Sequence, residues 1–148
     1  MDFNHWKKEI FDSCKRDDEE QERKFLALVD SVENCCDYEI AKILMKTFLD
    51  RPDYGTQERV VSVLSSLSTE EYIRVVLEEL PRLVKEAYEW AESLIAGELH
   101  NHFDFLCHEI KSSSPLIKNC LKQILKDPNF IEYNANALRK ELRDILNK

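Results

Sequence analysis

From Asp53 to Asn101 the apolar residues recur with a period near 3.6, and the stretch divides into three amphipathic segments. Val60, Val61, Leu64 and Leu67 form one stripe and predict a helix over 54–67. Ser68 with Glu71 three residues on is a capping-box pattern, and Ile73, Val76, Leu77 and Leu80 carry the stripe of a second helix over 70–80. Pro81 has no N–H and restricts Leu80, so a kink or a stop is expected there, with Pro81 in the first turn of a third helix over 82–99. Leu83, Val84, Ala87, Tyr88, Ala91, Leu94 and Ile95 supply that helix with its apolar face.

The flanking stretches have the same period. Phe3, Trp6, Ile10, Phe11 and Cys14 predict an opening helix over 3–15. The polar run 16–24 is read as the solvated start of a helix that buries Phe25, Leu28, Val29 and Val32, capped by Asp17 or Asp18, with its carboxylates facing the positive end of the helix dipole. Ile40, Ile43, Leu44, Thr47 and Phe48 predict a helix over 37–50, and Asp53 is placed to cap the one after it. Gly55, in a first turn, calls for a reason; a close backbone approach and plain turn chemistry both supply one. Further on, Phe103, Leu106, Cys107 and Ile110 predict a helix over 102–111. Ser114-Pro115 opens one over 115–126, Asp127-Pro128-Asn129 breaks it, and Leu138, Leu142, Ile145 and Leu146 mark a terminal helix.

Segments this short, joined by short turns, must bury their stripes on one another. The expected architecture is therefore all-α, eight to nine short helices in antiparallel pairs: 37–50 with 54–67, 70–80 with 82–99, and 102–111 with 115–126. A HEAT-like α-solenoid and a compact helical bundle both fit pairs of that length. The chain, 148 residues with 43% hydrophobic residues, is expected to form a single domain, and two glycines are too few for the turns of a β fold.

No run approaches the ~18 uncharged apolar residues of a membrane span, and the first residues lack the apolar core of a signal peptide, so a cytoplasmic protein without membrane contact is expected. Five cysteines without a CxxC pair argue for free thiols in a reducing compartment. The net charge of −8 is unevenly spread: residues 68–104 carry −6, whereas residues 105–148 carry +3. An acidic middle repels nucleic acid and favours a basic protein partner.

Catalytic chemistry finds little support. His100, Asp104 and His108 fall at i, i+4 and i+8, with Cys107 beside them, and these are residue types that zinc accepts; the local pattern lacks the second histidine of HExxH. Neither a nucleophile elbow nor a phosphate-binding glycine loop occurs. Cys35-Cys36 sits between Glu33 and Asp37, which raise a thiol pKa. A non-enzymatic protein without cofactor or bound metal is expected.

The segment DYGTQERVVSVL, residues 53–64, followed by STEEYIRVVLEELPRLVKEAYEWAESLIAGELHN, resembles the all-helical, HEAT-like immunity proteins of bacterial contact-dependent growth inhibition and polymorphic toxin systems. The resemblance spans roughly residues 37–105. It implies a small cytoplasmic protein, without catalysis or cofactor of its own, that neutralises a cognate toxin domain, often a nuclease. A helical-repeat adaptor for another protein or peptide is the competing class, and a metal- or ligand-binding regulator using residues 100–109 is a third.

In a right-handed stack the second helix of each pair lines the concave face, which nominates 54–67 and 82–99 for toxin binding. Gln57, Glu58 and Ser62 are expected to be exposed on the first, and Glu86, Glu89 and Glu92 to form a carboxylate ridge on the second. Tyr54, Tyr88 and Trp90 are the aromatic anchors expected beside them on a protein that acts as a monomer.

Overall fold

The computed structural model describes residues 1–53 and 55–148, and among them every regular element is helical. The helices gather into two compact units, Met1–Ser68 and Thr69–Lys148.

The first unit holds α1 (Phe3–Ser13), α2 (Glu19–Asp30), α3 (Tyr38–Met45) and α4 (Thr56–Leu64). Local signals set its helix starts. The side chain of Asp2 accepts from the backbone N–H groups of Asn4 and His5, that of Asp18 from Gln21, and that of Asp37 from Ile40, so three aspartates satisfy donors that a helix leaves open. Helix α1 packs on α2, α2 on α4 and α3 on α4. Ile10, Phe25, Val29, Leu44, Phe48 and Leu64 are fully buried between them, and the indole of Trp6 donates to the Leu28 carbonyl at 3.0 Å.

The turn before α4 settles the role of Gly55. Its φ of 95° is left-handed, and a Cβ built there meets nothing within 4 Å. The glycine therefore serves the turn and not a close approach. Asp53 caps as expected in part: its carboxylate accepts from Gln57 N–H at 3.2 Å, while Gly55 occupies the cap position.

A buried polar knot ties this turn to the α1–α2 loop. Arg16, itself at a φ of 52°, has a side chain 1% exposed, and its Nη2 lies 3.0 Å from Oδ2 of Asp53. The contact has ion-pair distance without hydrogen-bond alignment, and Nε and Nη1 find no acceptor among the described residues. The guanidinium instead lies over the Phe25 ring, 4.8 Å from its centroid, and burial lowers its pKa despite the opposing pull of Asp53. Arg51 donates to the carbonyls of Lys15 and Arg16, and Thr56 donates to Glu22 at 2.9 Å.

The second unit is built around α5 (Thr69–Glu86), which runs unbroken through Pro81. That corrects the expected stop and the expected start of a third helix at Pro81. A proline inside a helix costs ~3 kcal/mol, but Ile73, Val75, Val76, Leu77, Leu80 and Leu83 are all buried in phase on both sides of it, each contributing ~1.5–3 kcal/mol. Core burial outweighs the lost N–H. The helix ends instead at Ala87, a fully buried residue with φ −150° and ψ 58°, and α6 (Tyr88–Asn101) begins at once.

Then come α7 (Phe103–Lys111), α8 (Pro115–Leu125), α9 (Pro128–Tyr133), a 3-10 turn (Ala135–Leu138) and α10 (Lys140–Leu146). Ser114 caps α8 by accepting from Ile117 N–H, with Pro115 in the first turn as its sequence predicts. Asp127 not only ends α8 but caps α9, a helix the sequence reading leaves as irregular chain. Helix α5 packs against α6, α7 and α8, and α10 closes on α7 and α8. A stack of pairs touches only its neighbours in sequence; this central helix with several partners makes the second unit a compact bundle. Arg74 pairs with the nearly buried Glu109 across α5 and α7 at 3.3 Å, and Arg139 stacks over the Phe103 ring at 3.7 Å. Among the described residues no helix is long and apolar enough to cross a membrane.

Candidate functional site

The residues nominated for partner binding fall in both units. Tyr54 lies outside the described residues. Gln57, expected to be exposed, is 1% exposed, which corrects that expectation. Its amide closes the α3–α4 turn, accepting from Leu49 N–H at 2.6 Å and donating to the Arg51 carbonyl at 3.1 Å. A glutamine so engaged is an internal fastener. Glu58 and Ser62 are exposed on α4, in the first unit.

The remaining nominees lie in the second unit, where the break at Ala87 divides them: Glu86 ends α5, and Glu89, Trp90 and Glu92 belong to α6. The carboxylate ridge is therefore not one helical face. Glu86 is exposed and reaches Arg82 at 3.7 Å, which screens it, while Glu89 is exposed and Glu92 half-buried, one turn apart on α6. Trp90 and Tyr88 are half-buried.

Glu92 is the informative member. It lines an open groove of about 310 Å³ together with Ser93, Ala96, Asp127, Phe130 and Tyr133. Burial pushes its pKa up, and the charge of Asp127, a hydrogen bond to Asp127 and the charge of Glu89 push the same way. The Tyr88 hydroxyl stands in the same field: burial, then Glu92, then Asp127 raise its pKa. Two carboxyl groups meet here, and neither forms an ion pair with a cation among the described residues; the charge of Asp127 disfavours ionisation of Glu92. Tyr133, on the groove wall, is 77% exposed. Asp127 and Tyr133 escape sequence reasoning because α9 follows Asp127-Pro128, a pattern that reads as a helix stop.

The histidine cluster is dispersed. The chain leaves helical geometry at His102 (φ −144°, ψ 48°), so His100 ends α6 while Asp104 and His108 ride on α7, and the i, i+4, i+8 alignment is lost. Among the described residues no three His, Cys, Asp or Glu side chains are grouped to hold a metal ion. The structure instead joins His102 to Glu98, Nδ1 to Oε2 at 2.8 Å. Glu98 is 6% exposed, and burial raises its pKa against the opposing hydrogen bond and charge of His102. The neighbouring Tyr72 is pushed up to about 12, by burial first and the Glu98 charge second. Cys36 is likewise pushed up to about 11, by burial and then by Asp37, which makes it a poor nucleophile.

No protein-family model, curated protein or solved structure matches the chain.

Proposed function

We propose that the protein binds and neutralises a basic protein domain, in the manner of the toxin-immunity proteins its central segment resembles, and that the acidic groove between α6 and α9 receives that partner. The observation that carries this reading is the Glu92–Asp127 carboxyl pair, held together in an open groove beside the exposed Tyr133. Two carboxyl groups this close repel each other when both are charged, and a lysine or arginine side chain entering between them offsets that repulsion. Tyr133, Tyr88 and Trp90 offer aromatic surface on which binding energy concentrates. Glu89 and Glu86 extend the negative field outward, where it steers encounter with a basic surface such as a nuclease uses to hold phosphates.

The test is binding to a toxin domain encoded beside this gene, measured for Glu89→Lys/Glu92→Lys and for a control reversal, Glu19→Lys/Glu20→Lys on α2. The groove variant should associate at least about tenfold more slowly with a flattened salt dependence, as expected when steering charges are reversed. The control should bind like the parent. If the control loses affinity while the groove variant retains it, the partner sits on the first unit and the assignment fails.

A further inference from the structure

A second cavity, of about 280 Å³, carries the opposite charge. Lys122 on α8, Lys126 at the C-terminal cap of that helix and Arg143 on α10 surround it, and the buried Leu125, Ala137 and Leu146 line it from beneath. The two lysines are one turn apart on the same helix face, so their side chains rise side by side. The floor residues are buried to within 8% of full coverage, whereas Lys126 and Arg143 are exposed and Lys122 is half-buried. None of the three cations forms an ion pair among the described residues, although Arg59, Arg74, Arg82 and Arg139 all do. Three like charges around one apolar hollow repel one another, and an anion seated between them relieves that repulsion.

We infer that this cavity is a binding site for a small organic anion, a carboxylate or phosphate ester with a short apolar body. The head group takes the place of the missing counter-charge between Lys122, Lys126 and Arg143. Arg143 offers it a planar fork and the lysines point charges. The apolar body lies against the small exposed remainder of Leu125, Ala137 and Leu146 and against the aliphatic stems of the lysines, contacts that a bare inorganic ion does not make. Nucleic acid is a poor fit, because a phosphate backbone needs a track of cations and the segment 68–104 of this same unit carries −6. A membrane surface is also a poor fit: the apolar residues here are the floor of a hollow and do not protrude. The ligand is therefore a free molecule, and the site is independent of the acidic groove.

The probes are octyl phosphate below its micelle concentration, octanoate, inorganic phosphate and phosphatidylglycerol vesicles, titrated into the full chain and followed by calorimetry or amide chemical shifts. Octyl phosphate and octanoate should bind, shift the amides of α8 and α10, and bind at least tenfold better than inorganic phosphate. Lys126→Gln/Arg143→Gln, at two exposed positions, should keep the parental melting temperature and bind octyl phosphate at least tenfold more weakly. Undiminished binding by that variant, inorganic phosphate binding as tightly as the octyl ester, or vesicles displacing octyl phosphate from the site would each overturn the inference.

Discussion

Removing the Asp53 charge tests how the first unit is held together. Asp53→Asn keeps the side-chain shape and the oxygen that caps Gln57 N–H, but takes from the Arg16 guanidinium, 1% exposed, the ionic partner it has among the described residues. Withdrawing one member of a buried pair costs ~3–5 kcal/mol, because the remaining charge stays in a poorly solvated site. Asp53 itself is about 10% exposed, so some water reaches the pair and the lower end, ~3 kcal/mol, applies. Arg16→Met removes the charge yet keeps an apolar chain over the Phe25 ring, where the guanidinium now lies at 4.8 Å. That change should cost less, ~1–2 kcal/mol, since the carboxylate it strands is the better hydrated partner. The double variant should cost less than Asp53→Asn alone, because no unpaired charge remains. Urea unfolding followed by circular dichroism reads the effect. At ~1–3 kcal/mol per molar urea, Asp53→Asn should lower the midpoint of the first unit by ~1–3 M. If Asp53→Asn shifts the midpoint by less than ~0.3 M, or if the double variant is the sum of the singles, Arg16 is not held by Asp53 and the knot is misread.

Pro81→Ala should stabilise the second unit by up to ~3 kcal/mol, because it restores an N–H to a helix already continuous there; a lower melting temperature would show that the ring itself fills space. Leu64→Ala and Leu77→Ala, which cut buried side chains in the first and second unit respectively, should each cost ~2–5 kcal/mol in thermal or urea unfolding, and parental melting would contradict their burial. Glu98 has a folded pKa raised above its ordinary 4.5, so its contribution to stability is fully present below that value and is lost as pH rises through the raised one. Glu98→Gln should remove that loss, giving a flatter curve of stability against pH from 4.5 upward; a slope equal to the parent's would place the titration elsewhere.

Much of this architecture is legible in the sequence because the signals are local. The caps Asp18 and Ser114 lie within three residues of the N–H groups they serve, and the 3.6-residue stripes that bury Ile10, Phe25, Leu64 and Leu77 need only the geometry of one helix. The all-α class follows from that period alone. The functional groups are less legible because they depend on which helix lies beside which. Pro81 reads as a kink or a stop by its own chemistry, and the burial of residues on both sides of it carries α5 through. The bend moves to Ala87, a residue with no sequence signal, and divides the expected ridge between two helices. Gln57 reads as a surface residue until the loop carbonyl of Arg51 and the N–H of Leu49 close on its amide. Glu92 and Asp127 are 35 positions apart, and their meeting, like that of Lys122 with Arg143, is a product of packing: charges that the chain spaces at random along itself become a site only when apolar faces elsewhere bring their helices together.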